Sequence, residues 1–184
     1  MGIVLAILAV IWVAFFQTVR NREGGLGAPS LHTPKARFAA DFDWPLTTAD
    51  GKRVSLADLR GRAIFLNVWA TWCPPCVAEL PAIASLAANP KLKDVAFLAV
   101  STEDLDTVRR FAKSRDLALP FYVSDPEDVP QAFTTDAIPA TFLIAPDGRI
   151  ATAQLGSADW DDRSVVDYLV RLTSEGAGGN RPGP

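Results

Sequence analysis

The sequence predicts an α/β domain, a central mixed sheet with helices on both faces, preceded by one N-terminal transmembrane helix. Three observations carry this. Short apolar runs alternate with amphipathic stretches through residues 38–174, and the series ends in a hairpin and a helix, the order of a mixed sheet. Residues 3–16, IVLAILAVIWVAFF, are all apolar, and no charged side chain precedes Arg20. The only two cysteines, Cys73 and Cys76, stand three positions apart where the strongest apolar run gives way to a helix.

Composition narrows the class further. The 184 residues are 49% hydrophobic and 21% charged, which fits one globular domain with appendages and excludes a disordered chain, a coiled coil or a polytopic membrane protein. Formal net charge is -3, split as +3 over residues 1–40 and -6 over the rest. An acidic body argues against nucleic acid as a partner. The single histidine, His32, leaves no scope for a His-rich metal site or a Ser-His-Asp triad in the body.

From the N-terminus onward, a helix over residues 1–19 is about 28 Å long at ~1.5 Å per residue, just enough for a bilayer core of about 30 Å. The segment reads as a membrane anchor or as the apolar core of a signal peptide. Arg20 and Arg22 on its far side, taken alone, place the body in the cytoplasm, although that rule loses force for long translocated domains. Residues 20–37, rich in Gly, Pro, Ser and charge, read as a flexible linker. Residues 38–174 form the folded domain, and the Gly/Pro-rich 175–184 form a disordered tail.

Within the domain, Asp50-Gly51 marks a hairpin turn and residues 55–59 a short helical turn stopped near Gly61. Residues 63–70, AIFLNVWA, and 95–100, VAFLAV, are continuous apolar runs, as central strands buried on both faces require. Between them a helix starts at Cys73 and runs to about Ala88. Leu105, Val108, Phe111 and Ala112 give a helical stripe over residues 103–115. Residues 121–123 form a short strand and 126–133 a helix. Residues 141–145 and 149–155 flank the Asp147-Gly148 turn as a hairpin. A closing helix over 160–172 buries Val165, Val166, Tyr168, Leu169 and Leu172.

The chemistry lies in Trp72-Cys73-Pro74-Pro75-Cys76. Zinc needs three or four protein ligands, and beyond this pair the chain offers only a linker histidine, so no metal is expected. A static disulfide across so short a loop would add little stability. A reversible redox pair is the better reading. Cys73 falls at a helix N-terminus, where unpaired backbone N–H groups and the helix dipole favour a thiolate. Cys76, a turn further in, is the resolving thiol. Pro74 and Pro75 are tolerated at a helix start and stiffen the loop.

Residues 38–174 resemble the thioredoxin superfamily, and within it the TlpA/ResA-like branch of membrane-tethered or exported thiol–disulfide oxidoreductases. The resemblance rests on Asp50-Gly51-Lys52-Arg53-Val54-Ser55-Leu56, Leu59-Arg60-Gly61-Arg62, Leu66-Asn67-Val68-Trp69-Ala70-Thr71-Trp72 with the cysteine motif, Glu79-Leu80-Pro81, and Ile138-Pro139-Ala140-Thr141 with Asp147-Gly148. It implies a thioredoxin-like fold and several roles. Pro139 falls on the family's cis-proline facing the cysteines, which leaves the Ile138 backbone to pair with a substrate strand. Trp72, Pro74 and Pro75 complete the substrate-binding surface. Glu79 matches the branch's active-site glutamate. Asn67 stands where thioredoxins bury an aspartate, and since an amide cannot accept the proton, Glu79 or water is left as the relay. Pro81 matches a proline of the active-site helix.

The function implied is reduction of disulfides in exported proteins, with no cofactor, by a monomer on the periplasmic side of a membrane. Electrons would come from a membrane donor of the DsbD/CcdA type. Ala140 stands after Pro139 where threonine is common in the branch, and Ala137-Ile138-Pro139-Ala140-Thr141 lacks the Pro-Glu-Thr with a preceding Gly of the dedicated cytochrome c maturation thioredoxins, which weakens that assignment. The alternatives are a peroxiredoxin-like peroxidase, which would need Thr-x-x-Cys where this chain has Thr71-Trp72-Cys73, and a tethered thiol-binding chaperone module.

Overall fold

A computed structural model describes residues 27–31 and 39–175. The 1–19 segment, the linker residues 20–26 and 32–37, and the tail after residue 175 lie outside the described residues. Among the described residues no helix is long and apolar enough to cross a membrane.

The domain opens with a hairpin, β1 (Pro45–Thr48) and β2 (Arg53–Ser55). Gly51 closes its turn at φ +96°, a conformation that favours glycine, and its N–H donates to the Thr48 carbonyl at 2.8 Å. Ser55 then caps a 3-10 turn, Leu56–Leu59: its hydroxyl accepts from Ala57 N while Asp58 accepts from the Ser55 N–H. The apolar runs become β3 (Ala63–Val68) and β4 (Val95–Ser101), joined through α1 (Pro74–Ala87). Next come α2 (Leu105–Arg115), β5 (Phe121–Val123), β6 (Ala140–Ile144), β7 (Ile150–Leu155) and α3 (Arg163–Glu175).

The seven strands form one mixed sheet in the order β2-β1-β5-β4-β3-β6-β7. β3 is an inner strand, parallel to β4 and antiparallel to β6, with Asn67 directly opposite Thr141. Strand side chains alternate between two faces. Ala63, Phe65 and Trp69 join Phe97, Ala99 and Leu143 in one core, while Ile64 and Leu66 join Leu98, Val100 and Phe142 in the other.

The thioredoxin-like α/β architecture is observed, with one correction. Residues of all three α-helices belong to the first core. The predicted helix over 126–133 is instead two 3-10 turns, Pro126–Asp128 and Gln131–Phe133. Pro130 supplies no N–H and biases Val129 to extended backbone (φ -67°, ψ 116°), so one helix cannot run through. The second face is therefore covered by the chain around Phe42 and Trp44 and by 3-10 turns, not by α-helices. Trp44 anchors this side, stacked on Phe133 with ring centroids 5.1 Å apart and donating from its indole to Ser124 Oγ at 2.7 Å.

Two helix starts also differ from expectation. α2 begins at Leu105 because Asp104 is its N-cap, accepting from Thr107 N at 2.9 Å. α3 begins at Arg163, which leaves Trp160 in the preceding loop. Five residues of the 20–37 stretch are described, and they lie against the domain. Asp159 N donates to Gly27 O at 2.8 Å, Ser30 N donates to Gln154 Oε1 at 2.9 Å, and Leu31 is buried in the helix-side core.

Candidate active site

Cys73 and Cys76 form a disulfide. Their position follows from local structure. β3 carries the chain up through the sheet, and Trp69 N donates to Val100 O at 3.1 Å, pinning the exit to β4. The Trp69 ring is buried, 4.8 Å from Phe111 and 5.2 Å from Phe121 between centroids. Thr71 is gripped by Glu103, its N–H and hydroxyl each donating to one carboxylate oxygen at 2.7 Å. Ser101 Oγ donates to the same group at 3.1 Å. Cys73 is then the N-cap of α1, its sulfur accepting from Cys76 N at 3.3 Å, with Pro74 and Pro75 opening the helix where no N–H is needed.

The structure brings most of the predicted site residues together. Cys73 is buried and Cys76 completely so. The Ile138–Pro139 bond is cis, and the Ile138 carbonyl oxygen lies 3.9 Å from Cys73 Sγ. Ile138 is half-buried and Pro139 buried, whereas Pro74 and Pro75 are exposed and Trp72 projects with 71% of its surface free. Trp72, Pro74 and Pro75 thus form an open rim around the disulfide.

Glu79 departs from the ordinary behaviour of a helix carboxylate. It is only 1% exposed. Oε1 accepts from Asn67 Nδ2 at 2.8 Å, and Oε2 accepts from Trp160 Nε1 at 3.0 Å and Ala158 N at 3.2 Å. Burial pushes its pKa above the usual carboxylate value, and the bonds from Trp160, Ala158 and Asn67 pull part of the way back. Asn67 Nδ2 also donates to Thr141 Oγ1 at 2.9 Å. Glu79 therefore sits against β3 and the loop before α3, linked to β6 through Asn67 and Thr141, three positions from Cys76 on the same helix.

Sequence reasoning did not find the rest of this shell. The sequence places Trp160 in a helix, and the 81 positions that separate it from Glu79 carry no signal of their contact. Thr141 is visible only once the β3–β6 register is known. The helical stripe over residues 103–115 takes in Glu103, whereas Glu103 lies before α2 and holds Thr71.

Chemically, the arrangement is a disulfide at the end of a sheet, edged by an apolar rim and a backbone carbonyl, with one buried carboxylate behind it. A model of the Redoxin family matches residues 30–170. The chain is 35% identical over 125 residues to the thiol–disulfide oxidoreductase ResA of Bacillus subtilis, covering 67% of this chain and 69% of that one. It is 30% identical over 129 residues to ResA of Bacillus cereus, covering 70% and 73%. The crystal structure of a thiol:disulfide interchange protein of the thioredoxin family from Chlorobium tepidum superposes with a TM-score of 0.59 at 25% identity, covering 78% of this chain and 99% of that one. With the Cys73–Cys76 pair at the head of α1, these likenesses identify the chain as a member of the Redoxin family and a ResA-like thiol–disulfide oxidoreductase.

Proposed function

We propose that this oxidoreductase works as a reductase of disulfides in exported proteins, tethered by residues 1–19 with its domain on the periplasmic side of a membrane. The observation that carries the reductase site is the Cys73–Cys76 pair at the α1 N-terminus with the Ile138 carbonyl beside Cys73. In the reduced protein, the Cys73 thiolate attacks one sulfur of a client disulfide. The client S–S bond breaks, a Cys73–client mixed disulfide forms, and the other client sulfur leaves as a thiolate that takes a proton from solvent. Cys76 then gives its proton to Glu79, directly or through water, and attacks the Cys73 sulfur. The Cys73–Cys76 disulfide forms and the second client sulfur leaves as a thiolate that takes a proton from solvent, to which Glu79 returns the proton it received. A client dithiol and an oxidised enzyme result, two electrons having passed to the client.

Client docking is assigned to the edge at Ile138 and Pro139, where an extended segment can add as a strand, and to the apolar rim of Trp72, Pro74 and Pro75. Re-reduction is assigned to a membrane dithiol donor of the DsbD/CcdA type. The protein is taken to act as a monomer.

Insulin reduction with a chemical reductant tests the reading. Cys73→Ala is expected to abolish turnover, and Cys76→Ala to accumulate mixed disulfides visible on non-reducing gels. Full activity in Cys73→Ala would refute it. Thiol trapping in intact cells tests the direction: a mainly reduced pair supports a reductase, and a mainly oxidised pair an oxidase.

A further inference from the structure

We propose that Asn67 is a positioning residue that follows the proton on Glu79, its side-chain amide turning through a half-turn when the carboxylate becomes a carboxylic acid. The inference deepens the relay role assigned above to Glu79. It rests on a mismatch in the hydrogen-bond inventory. All three partners of Glu79 are donors: the Asn67 amide, the Trp160 indole and the Ala158 N–H. This shell suits a carboxylate, which only accepts. A carboxylic acid must also donate, and neither the Ala158 N–H nor the Trp160 indole can accept from it. Asn67 can, because an amide carries a donor on one end and an acceptor on the other.

The acceptor end is uncommitted. Asn67 is fully buried, and its Oδ1 has no hydrogen-bond partner. Trp69 Nε1 shares that condition among the described residues, but it is a donor and cannot serve. In the observed orientation Nδ2 gives one hydrogen to Glu79 Oε1 and the other to Thr141 Oγ1. After a half-turn, Oδ1 accepts from the new Glu79 Oε1–H and from the Thr141 hydroxyl, which reverses direction. Trp160 and Ala158 keep their bonds to Oε2. Each state has the same four bonds; the first leaves the Oδ1 acceptor unpaired and the second leaves the two Nδ2 hydrogens unpaired. The Asn67 amide facing the carboxyl, backed by the Thr141 hydroxyl, therefore adapts to either protonation state, whereas the two N–H groups on the other oxygen hold the carboxyl in place.

The groups facing Glu79 do not confuse the titration. β3 supplies Asn67, β6 supplies Thr141 through Asn67, the loop before α3 supplies Ala158 N and the Trp160 indole, and Cys76 on α1 is held in the disulfide. No charged side chain contributes to the displacement of its pKa.

The test uses the oxidised full chain, so that no thiol titrates, with the Asn67 side-chain amide followed by NMR while Glu79 is titrated through its carboxyl carbon. The expected result is one midpoint shared by the Glu79 carbon and the two Nδ2 protons, with the cross-relaxation between those protons and Thr141 lost on the acid side. Glu79→Gln fixes the neutral state, and its Asn67 amide is expected at the acid-side position at every pH. If Glu79 titrates while the Asn67 signals and their Thr141 cross-peaks stay fixed, the proton uses the carboxylate's fourth lone pair and the proposal is overturned. It is equally overturned if the Glu79→Gln amide sits at the alkaline-side position. Because no client or thiol takes part, these outcomes are independent of whether Glu79 relays protons in turnover, which unchanged insulin reduction in Glu79→Gln would disprove by itself.

Discussion

Cys73 and Cys76 share a loop and a helix but not an environment. The Cys73 sulfur already accepts from the Cys76 N–H in the disulfide, so the same donor and the α1 dipole are available to a Cys73 thiolate. Cys76 is fully buried, and burial disfavours a charged sulfur there. In the reduced protein Cys73 is expected to alkylate with iodoacetamide faster than Cys76, because reactivity follows thiolate character and access. Mass spectrometry of partly alkylated protein reads this order, and faster labelling of Cys76 would reverse the assignment of attacking and resolving thiols. Glu79 gives a second prediction. Its folded pKa lies above its unfolded value because burial outweighs its hydrogen bonds. Its contribution to stability is therefore fully present below the unfolded pKa and is lost as pH rises through the folded one. Asp50, Asp104 and Asp162 are shifted down and contribute with the opposite sign, so the comparison must be with a variant. Urea midpoints of the oxidised protein, taken from about pH 4 to about pH 8, are expected to fall for the wild type relative to Glu79→Gln. Parallel curves would show that Glu79 does not change charge in that window.

At the scale of elements, the turn joining β6 to β7 sets the active-site register, because β6 pairs with β3 on one side and β7 on the other. Gly148 sits in that turn at φ +86°, and a Cβ there would meet Phe42 Cε2 at 3.2 Å. Gly61, at φ +83°, has nothing within 4 Å of the same position. Both should lose about 1–3 kcal/mol on substitution by alanine from the left-handed backbone alone. Gly148→Ala is expected to lose more, since the ring of Phe42 is itself buried and must shift. Equal urea midpoints for the two variants would mean the ring moves freely. These elements also show what a sequence can reveal. β3 and β4 were legible because burial on both faces makes a continuous apolar run, and α1 because the cysteines and prolines mark its start. The Asp147-Gly148 turn was legible from its residues. The 126–133 segment does not form the helix expected, because Pro130 interrupts it. In the site, the disulfide pair and Pro139 are carried by local motifs. Trp160 and Thr141 reach the Glu79 cluster only through tertiary packing and strand register, for which no local pattern exists.

The whole molecule joins these parts to the proposed tether. Val68, Ala140 and Leu155 lie side by side across β3, β6 and β7 at the end of the sheet that carries the disulfide. The chain leaves β7 there, and Gly156 N donates to Pro139 O at 2.9 Å. The same stretch holds Gly27 through Asp159 N and supplies Glu79 with the Ala158 and Trp160 donors. The N-terminal chain therefore meets the domain at its reactive end. Seven residues, 20–26, separate Gly27 from the apolar segment, and fully extended they reach at most ~25 Å. If residues 1–19 span a membrane, the disulfide is leashed close to its surface, where a membrane dithiol donor can reach it and a soluble one gains nothing. Arg20 and Arg22 favour a cytoplasmic exit, whereas reduction of exported proteins requires the opposite side. Alkaline phosphatase fused after Pro184 decides between them, because that reporter is active only outside the cytoplasm. Activity is expected. An inactive fusion that is nonetheless present in the membrane fraction would place the domain inside, and would remove exported disulfides from its range of clients while leaving the chemistry of Cys73 and Cys76 intact.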